Sequence, residues 1–187
     1  RRSGIIALAN GLAVRSFLSE ERKRKGVYLA NLSTALRERP ELVQSYFMTK
    51  GVTLETQLQS SNIPLRNKFD ALHGAFWQGG YLLHVPKGVV IDIPLQAMIA
   101  LSEPQRADFS HTIIIADPES QVTILEEQIS TASGASGFHC GAVEIFARRN
   151  ANVTYVQVQK WNQKVWNFTT QRAIVEQDAQ LCWVTGT

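Results

Sequence analysis

Cysteine is scarce: only Cys140 and Cys182 occur in 187 residues. That is too few for a disulfide framework and fits a chain kept in a reducing, cytoplasmic setting. No run approaches the ~20 consecutive apolar residues needed to span a bilayer, so no membrane role is expected. Arg1-Arg2-Ser3 leads into only a short apolar run without a small-residue cleavage site, which argues against a secretory leader. The chain also lacks a Gly-x-x-x-x-Gly-Lys loop and a Gly-x-Gly-x-x-Gly helix start, so no nucleotide site is legible. Net charge is only +3, unevenly spread: residues 1–40 hold nine Lys/Arg against three Asp/Glu, and residues 41–187 ten against thirteen. The run Arg22-Lys23-Arg24-Lys25 follows Glu20-Glu21 and has no interleaved aromatics. It reads as a solvated helical face, and nucleic acid is not an expected partner. With no Met at position 1 and an end just after Trp183-Val184, the chain is expected to be the N-terminal part of a longer one.

What is present divides into two textures. Ile5–Ala9 and Leu12–Val14 flank Asn10-Gly11, which supplies the two positive-φ positions of a tight type I′ hairpin turn. Ser33 is placed to cap a short helix over Thr34–Glu38, ended by Pro40. Pro40 then opens a second helix with Leu42, Val43, Tyr46 and Phe47 on one face and Gly51 beyond it. Residues 52–66 are polar and read as a linker. A third helix, Lys68 to Gln78, carries Phe69, Leu72, Ala75 and Phe76 at helical spacing and stops at Gly79-Gly80.

From Tyr81 onward short β-like runs repeat. The turns Asp117–Gln121, Arg148–Asn152 and Glu176–Gln180 each lead into an apolar–variable–apolar–apolar string, with a degenerate copy at Pro86-Lys87-Gly88. The residues closing the preceding strands, Val85, Ala116, Ala147 and Val175, lie 31, 31 and 28 positions apart by subtraction. Such a period means stacked units that bury a common core. Alternation slips at Ile124-Leu125, Tyr155-Val156 and Trp183-Val184, which predicts a bend at a coil corner. An antiparallel sandwich of hairpins is the alternative.

Isolated chemistry is sparse. His139 and Cys140 are adjacent and point to opposite faces of a strand, so they cannot share a metal without a bulge. Cys140 reads as a small buried hydrophobe, and Cys182 should face away from the coil interior. His73, His84 and His111 lack a second ligand at metal-binding spacing and read as structural. Glu126-Glu127 face opposite sides, and Asp117/Glu119 sit in a turn, so neither pair suits acid–base work. Residues 133–137, Ser-Gly-Ala-Ser-Gly, read as a loop. No catalytic and no metal site is predicted.

Longer strings resemble a known family. Residues 34–47 (Thr-Ala-Leu-Arg-Glu-Arg-Pro-Glu-Leu-Val-Gln-Ser-Tyr-Phe) are similar to the helical lead-in of SufD proteins. Residues 68–80 (Lys-Phe-Asp-Ala-Leu-His-Gly-Ala-Phe-Trp-Gln-Gly-Gly), then 85–89 (Val-Pro-Lys-Gly-Val) and Pro94-Leu95-Gln96, look like the entry to the SufB/SufD β-helix. Residues 111–116 (His-Thr-Ile-Ile-Ile-Ala), 122–126 (Val-Thr-Ile-Leu-Glu), Gln159-Lys160-Trp161 and 166–172 (Trp-Asn-Phe-Thr-Thr-Gln-Arg) continue it in family order. The likeness runs from about Ser19 to the end. Gln171 stands where the SufB branch carries lysine, and the four-residue loop Asn162–Val165 is shorter than the SufB form. Both departures favour SufD and count against a SufB-like sulfur-transfer role.

The resemblance implies a mainly β protein: a right-handed parallel β-helix preceded by a small α-helical N-terminal region. The expected units are 1–66 (hairpin, helices, linker) and 67–187 (helix entry and β-helix core). It implies a cytoplasmic, non-catalytic scaffold for iron–sulfur cluster assembly, partnered by a SufB-like homologous subunit and a SufC-like ABC ATPase. An exposed strand edge would also allow pairing with a second copy of the chain. No cofactor is expected in this chain alone; a nascent iron–sulfur cluster, and any flavin, belong to the full complex. Cluster-holding residues of the family lie later than Thr187. The candidate functional residues are Gln159, Trp161 and Arg172, because the resemblance places the matching Gln and Trp of SufB along the interior route proposed for sulfur. A generic β-solenoid interaction module and a carbohydrate-acting β-helix enzyme are the alternatives.

Overall fold

A computed structural model describes residues 3–48, 68–131, 134 and 136–187. Strands β1 (Gly4–Ala9) and β2 (Leu12–Leu18) pair antiparallel around Asn10 and Gly11, at φ 50 and 80, as the Asn-Gly turn requires. Helix α1 (Glu20–Arg24) has acids in its first turn and bases in its last, matching its dipole. Lys23 and Lys25 are solvated, paired with Glu20 and Glu21. Arg22 departs from the expected exposed run: only 4% exposed, it donates to Ser3 Oγ at 3.1 Å and pairs with Asp92, tying α1 to the solenoid. Strand β3 (Tyr28–Asn31) was not foreseen. Helix α2 (Leu32–Glu38) is capped by Asn31, whose Oδ1 accepts from Thr34 N, and not by Ser33, which lies inside it. Helix α3 (Pro40–Tyr46) starts at Pro40 as expected. The expected linker 52–66 and Gly51 fall outside the described residues.

The remainder is a mainly β, parallel solenoid of about three turns. The first rung is β4 (Gly80–Val85), β5 (Leu95–Leu101) and β6 (Arg106–Asp108). The second is β7 (His111–Ala116), β8 (Gln121–Ser130) and β9 (Gly137–His139). The third is β10 (Ala142–Ala147), β11 (Asn152–Lys160) and β12 (Val165–Asn167), followed by β13 (Thr170–Val175) and β14 (Gln180–Gly186). Among the described residues three sheets result, in orders β14-β11-β8-β5-β1-β2, β13-β10-β7-β4-β3 and β12-β9-β6. The hairpin thus continues the first sheet rather than standing apart from it.

The repeat sets the register. Val85, Ala116, Ala147 and Val175 stand side by side in parallel pairing, which removes the antiparallel sandwich. The turns stack as well: Gly88, Glu119, Asn150 and Asp178 all hold φ between 58 and 69 at the same turn position. The expected corner bend is absent. β8 and β11 run straight on, with Val122, Ile124, Glu126 and Gln128 of β8 all buried on alternate positions. The apparent slip arises because the next inward residues are polar.

The core lies inside the coil, where Ile6, Leu83, Leu95, Ile114, Val122, Ile145, Val153 and Tyr155 pack. A second cluster lies outside the second sheet, where Leu82, Ile113, Ile115 and Phe146 meet Leu32, Ala35, Val43 and Tyr46 of α2 and α3. β7 and β10 are therefore buried on both faces. Helix α4 (Lys68–Phe76) reverses the expected face: it buries Asp70 and His73, while Phe76 is 61% exposed. Gly80 lets it enter β4, because a Cβ there would lie 1.9 Å from His111 O.

Candidate functional site

Beyond the apolar half of β8 and β11 the coil interior turns polar. Glu126 is fully buried and collects four donors. Tyr81 OH (2.9 Å) and Thr112 Oγ1 (3.2 Å) donate to Oε2; Gln128 Nε2 (2.8 Å) and Gln157 Nε2 (3.3 Å) donate to Oε1. Among the described residues no Lys, Arg or His pairs with it. Burial first, and then the Glu126 charge, push the Tyr81 and Tyr155 hydroxyls well above the usual phenol range, so both stay protonated as donors.

A directed chain of amides feeds this carboxylate. Thr169 Oγ1 donates to Asn167 Oδ1 (2.9 Å), Asn167 Nδ2 to Gln159 Oε1 (2.8 Å), Gln159 Nε2 to Gln157 Oε1 (3.0 Å), and Gln157 to Glu126. Gln171 Nε2 joins at Gln157 Oε1 (2.7 Å). Every dipole points the same way, so each bond polarises the next.

Beside the chain, Asp108 and His139 are both fully buried; His139 Nδ1–H (2.8 Å) and Ser110 Oγ–H (2.6 Å) both donate to Asp108 Oδ2. Burial pushes the Asp108 carboxyl up, but the His139 and Ser110 donors outweigh it and hold it below the usual range. Trp161 lies over the His139 ring at 4.9 Å. Asp108 Oδ1, Gln128 Oε1, His139 Nε2 and Trp161 Nε1 find no protein partner.

Of the predicted site residues, the structure brings Gln159 and Trp161 to this interior column and sets Arg172 apart. Strand alternation points Gln171 inward and Arg172 outward. Arg172 pairs with Asp70 of α4, and Thr170 also donates to Asp70. There, His73 Nε2 meets His111 Nδ1 at 2.9 Å, and His111 Nε2 meets Glu144 Oε2 at 3.0 Å. With Met48 these residues border a cavity of about 10 Å³, room for about one water. His84 pairs with Asp117 at 2.8 Å.

The sequence reading of the cysteines stands: Cys140 is buried, its thiol pushed up by burial and then by Asp70, and Cys182 is exposed. Glu127 faces out to Lys160, opposite Glu126. No group of three His, Cys, Asp or Glu among the described residues is set to hold a metal. Sequence reasoning missed Tyr81, Asp108, Thr112, Glu126, His139, Gln157 and Gln171. The signal was there in part: Val122-Ile124-Glu126-Gln128 and Val153-Tyr155-Gln157-Gln159 keep strict period two.

Comparison with known proteins fits this architecture. Residues 3–97 match the SufBD protein N-terminal region. Residues 99–187 match the SufBD core domain of SUF-system FeS cluster assembly. The chain belongs to the SufBD family. It is 32% identical to an iron–sulfur cluster assembly SufBD family protein of Staphylococcus saprophyticus, over 98% of this chain and 37% of the relative. Relatives of the same description from Staphylococcus epidermidis and Staphylococcus haemolyticus show the same 32% identity and the same coverage. The chain spans little more than a third of the curated relatives it matches. Among the described residues no helix is long and apolar enough to cross a membrane.

Proposed function

We propose that this chain is part of a SufD-type, non-catalytic scaffold subunit that works in the cytoplasm beside a SufB-like subunit and a SufC-like ABC ATPase. Its cargo is a nascent iron–sulfur cluster, built in the assembled complex rather than on the residues described here. The observation that carries the SufD-type reading is Gln171. On the exposed last rung it donates a neutral amide inward to Gln157 at 2.7 Å, where the SufB branch is expected to place an ammonium. Among the described residues the interior around it holds no thiol: Cys140 points toward α4, with Sγ 3.5 Å from Phe69 O, and Cys182 faces out. That supports a supporting subunit over one that carries sulfur. β12, β13 and β14 each leave one edge unpaired within the described chain, and such edges are where a homologous β-solenoid subunit or a second copy can add strands.

Affinity capture of the full-length protein tests this. We expect the SufB-like and SufC-like proteins of the same cell to co-purify with it in fixed proportion. Capture of neither would overturn the proposal.

A further inference from the structure

Helix α4 rests on the outer wall through its polar face, and the donors and acceptors there can be counted. Cys140 O only accepts, so His73 Nδ1, at 2.7 Å, carries a proton. His73 Nε2 then accepts from His111 Nδ1–H at 2.9 Å, provided His73 is neutral. His111 Nε2 faces Glu144 Oε2 at 3.0 Å, and that contact closes only with one proton shared between them. Met48 N–H donates to the same Oε2 at 2.8 Å, binding the segment after α3 to the chain. A second proton on His73 sets two N–H groups face to face.

We propose that α4 is a proton-operated strap, closed on the outer wall while His73 is neutral and one proton is shared by His111 and Glu144, and lifted on acidification. The geometry supports a helix that can lift. Its buried face is Asp70 and His73 rather than an apolar stripe, and Phe76 stays in solvent. Its ring contacts are Phe69, stacked on Phe168 at 4.0 Å, and the mostly exposed Phe76, 5.8 Å from the Phe109 ring. The titratable and charged groups around His73 are Asp70 on α4 itself, Asp108, His111, His139, Cys140 and Glu144 on the rungs, and Arg172 on β13. Burial, and then His111, pull the His73 imidazole down to about 4, while the Cys140 carbonyl and Asp108 oppose this. Lifting α4 uncovers His111, Glu144 and Arg172 on consecutive strands.

Backbone hydrogen exchange on the full-length protein tests the strap, using α4 amides of residues 72–76 corrected for intrinsic rates and β10 amides as internal reference. With His73 moving from about 4 closed to the ordinary 6.5 open, α4 protection is expected to fall about twentyfold relative to β10 between pH 7 and pH 5. His73→Phe should reduce that change to less than about threefold. Glu144→Gln should keep it, because an amide donates to His111 Nε2 without the shared proton. An unchanged α4-to-β10 ratio in the wild type overturns the strap. So does the same twentyfold fall in His73→Phe, or its loss in Glu144→Gln.

Discussion

Two buried polar networks lie on opposite sides of one sheet, the β7–β10–β13 wall, and they are built from different chemistry. Inside the coil, Thr112 and Gln171 point toward a lone carboxylate fed by hydroxyls and amides. Outside, Glu144 and Arg172, on the very next positions, meet His111 and Asp70 through imidazoles and an ion pair. A single-residue step along a strand separates them, because successive side chains alternate faces. The donors that feed Glu126 are hydroxyls and amides, which keep their protons near neutral pH. The outer network includes the His73 imidazole, held low by burial, so the two faces should answer differently to mutation and to acid.

The largest effect is expected at Glu126. Replacing it with Leu strands four donors in the interior, each costing about 1–3 kcal/mol, so unfolding free energy should drop by at least about 3 kcal/mol in urea titration. Arg172→Met on the outer face leaves Asp70 buried beside Thr170 with its ion pair removed. A loss of about 3 kcal/mol is expected, much of it recovered in the Arg172→Met, Asp70→Leu double variant, since removing both charges avoids an uncompensated one. If the double variant is no better than the single, the outer network is not ionic in origin.

Acid should separate the faces next. The His73 pKa is lower folded than unfolded, so the unfolded chain binds more protons between about pH 6.5 and 4 and stability falls as pH drops through that window. Between pH 7 and 5 the wild type should lose about 2 kcal/mol more than His73→Phe by chemical denaturation. Gln171→Lys places an ammonium among neutral amides. Because position 171 is exposed on the last rung, a loss of less than about 1 kcal/mol at pH 7 is expected by chemical denaturation, from the amide bond to Gln157 alone. The smallest effect belongs to Glu127→Ala, the outward neighbour of Glu126. It breaks only a solvated pair with Lys160 and should change stability by less than about 0.5 kcal/mol.

The rung register was legible in the sequence because the turns must place one residue at positive φ in each copy and the closing residues recur at fixed spacing. The N-terminal hairpin was legible because Asn-Gly permits few other local structures. The interior column was not, because apolar alternation is the cue for an inward face and Glu126, Gln128, Gln157 and Gln159 break that cue while keeping the geometry. The docking face of α4 was misassigned for the related reason that Phe69, Leu72 and Phe76 form the apolar stripe, whereas Asp70 and His73 find partners 100 and 38 residues away. Gln159 and Trp161 were placed by family likeness. Their contacts with Asn167 and His139 needed the third sheet, whose three-residue strands carry almost no pattern of their own.

The side-chain amide protons of Gln157, Gln159 and Asn167, followed by NMR in the full-length protein at pH 7 and pH 5, test the separation of the two faces most directly. We expect slow solvent exchange and unchanged shifts at both pH values while α4 loses its protection. Rapid exchange of these amides at pH 7, or their release at pH 5 in step with α4, would contradict an inner column that holds while the outer wall opens.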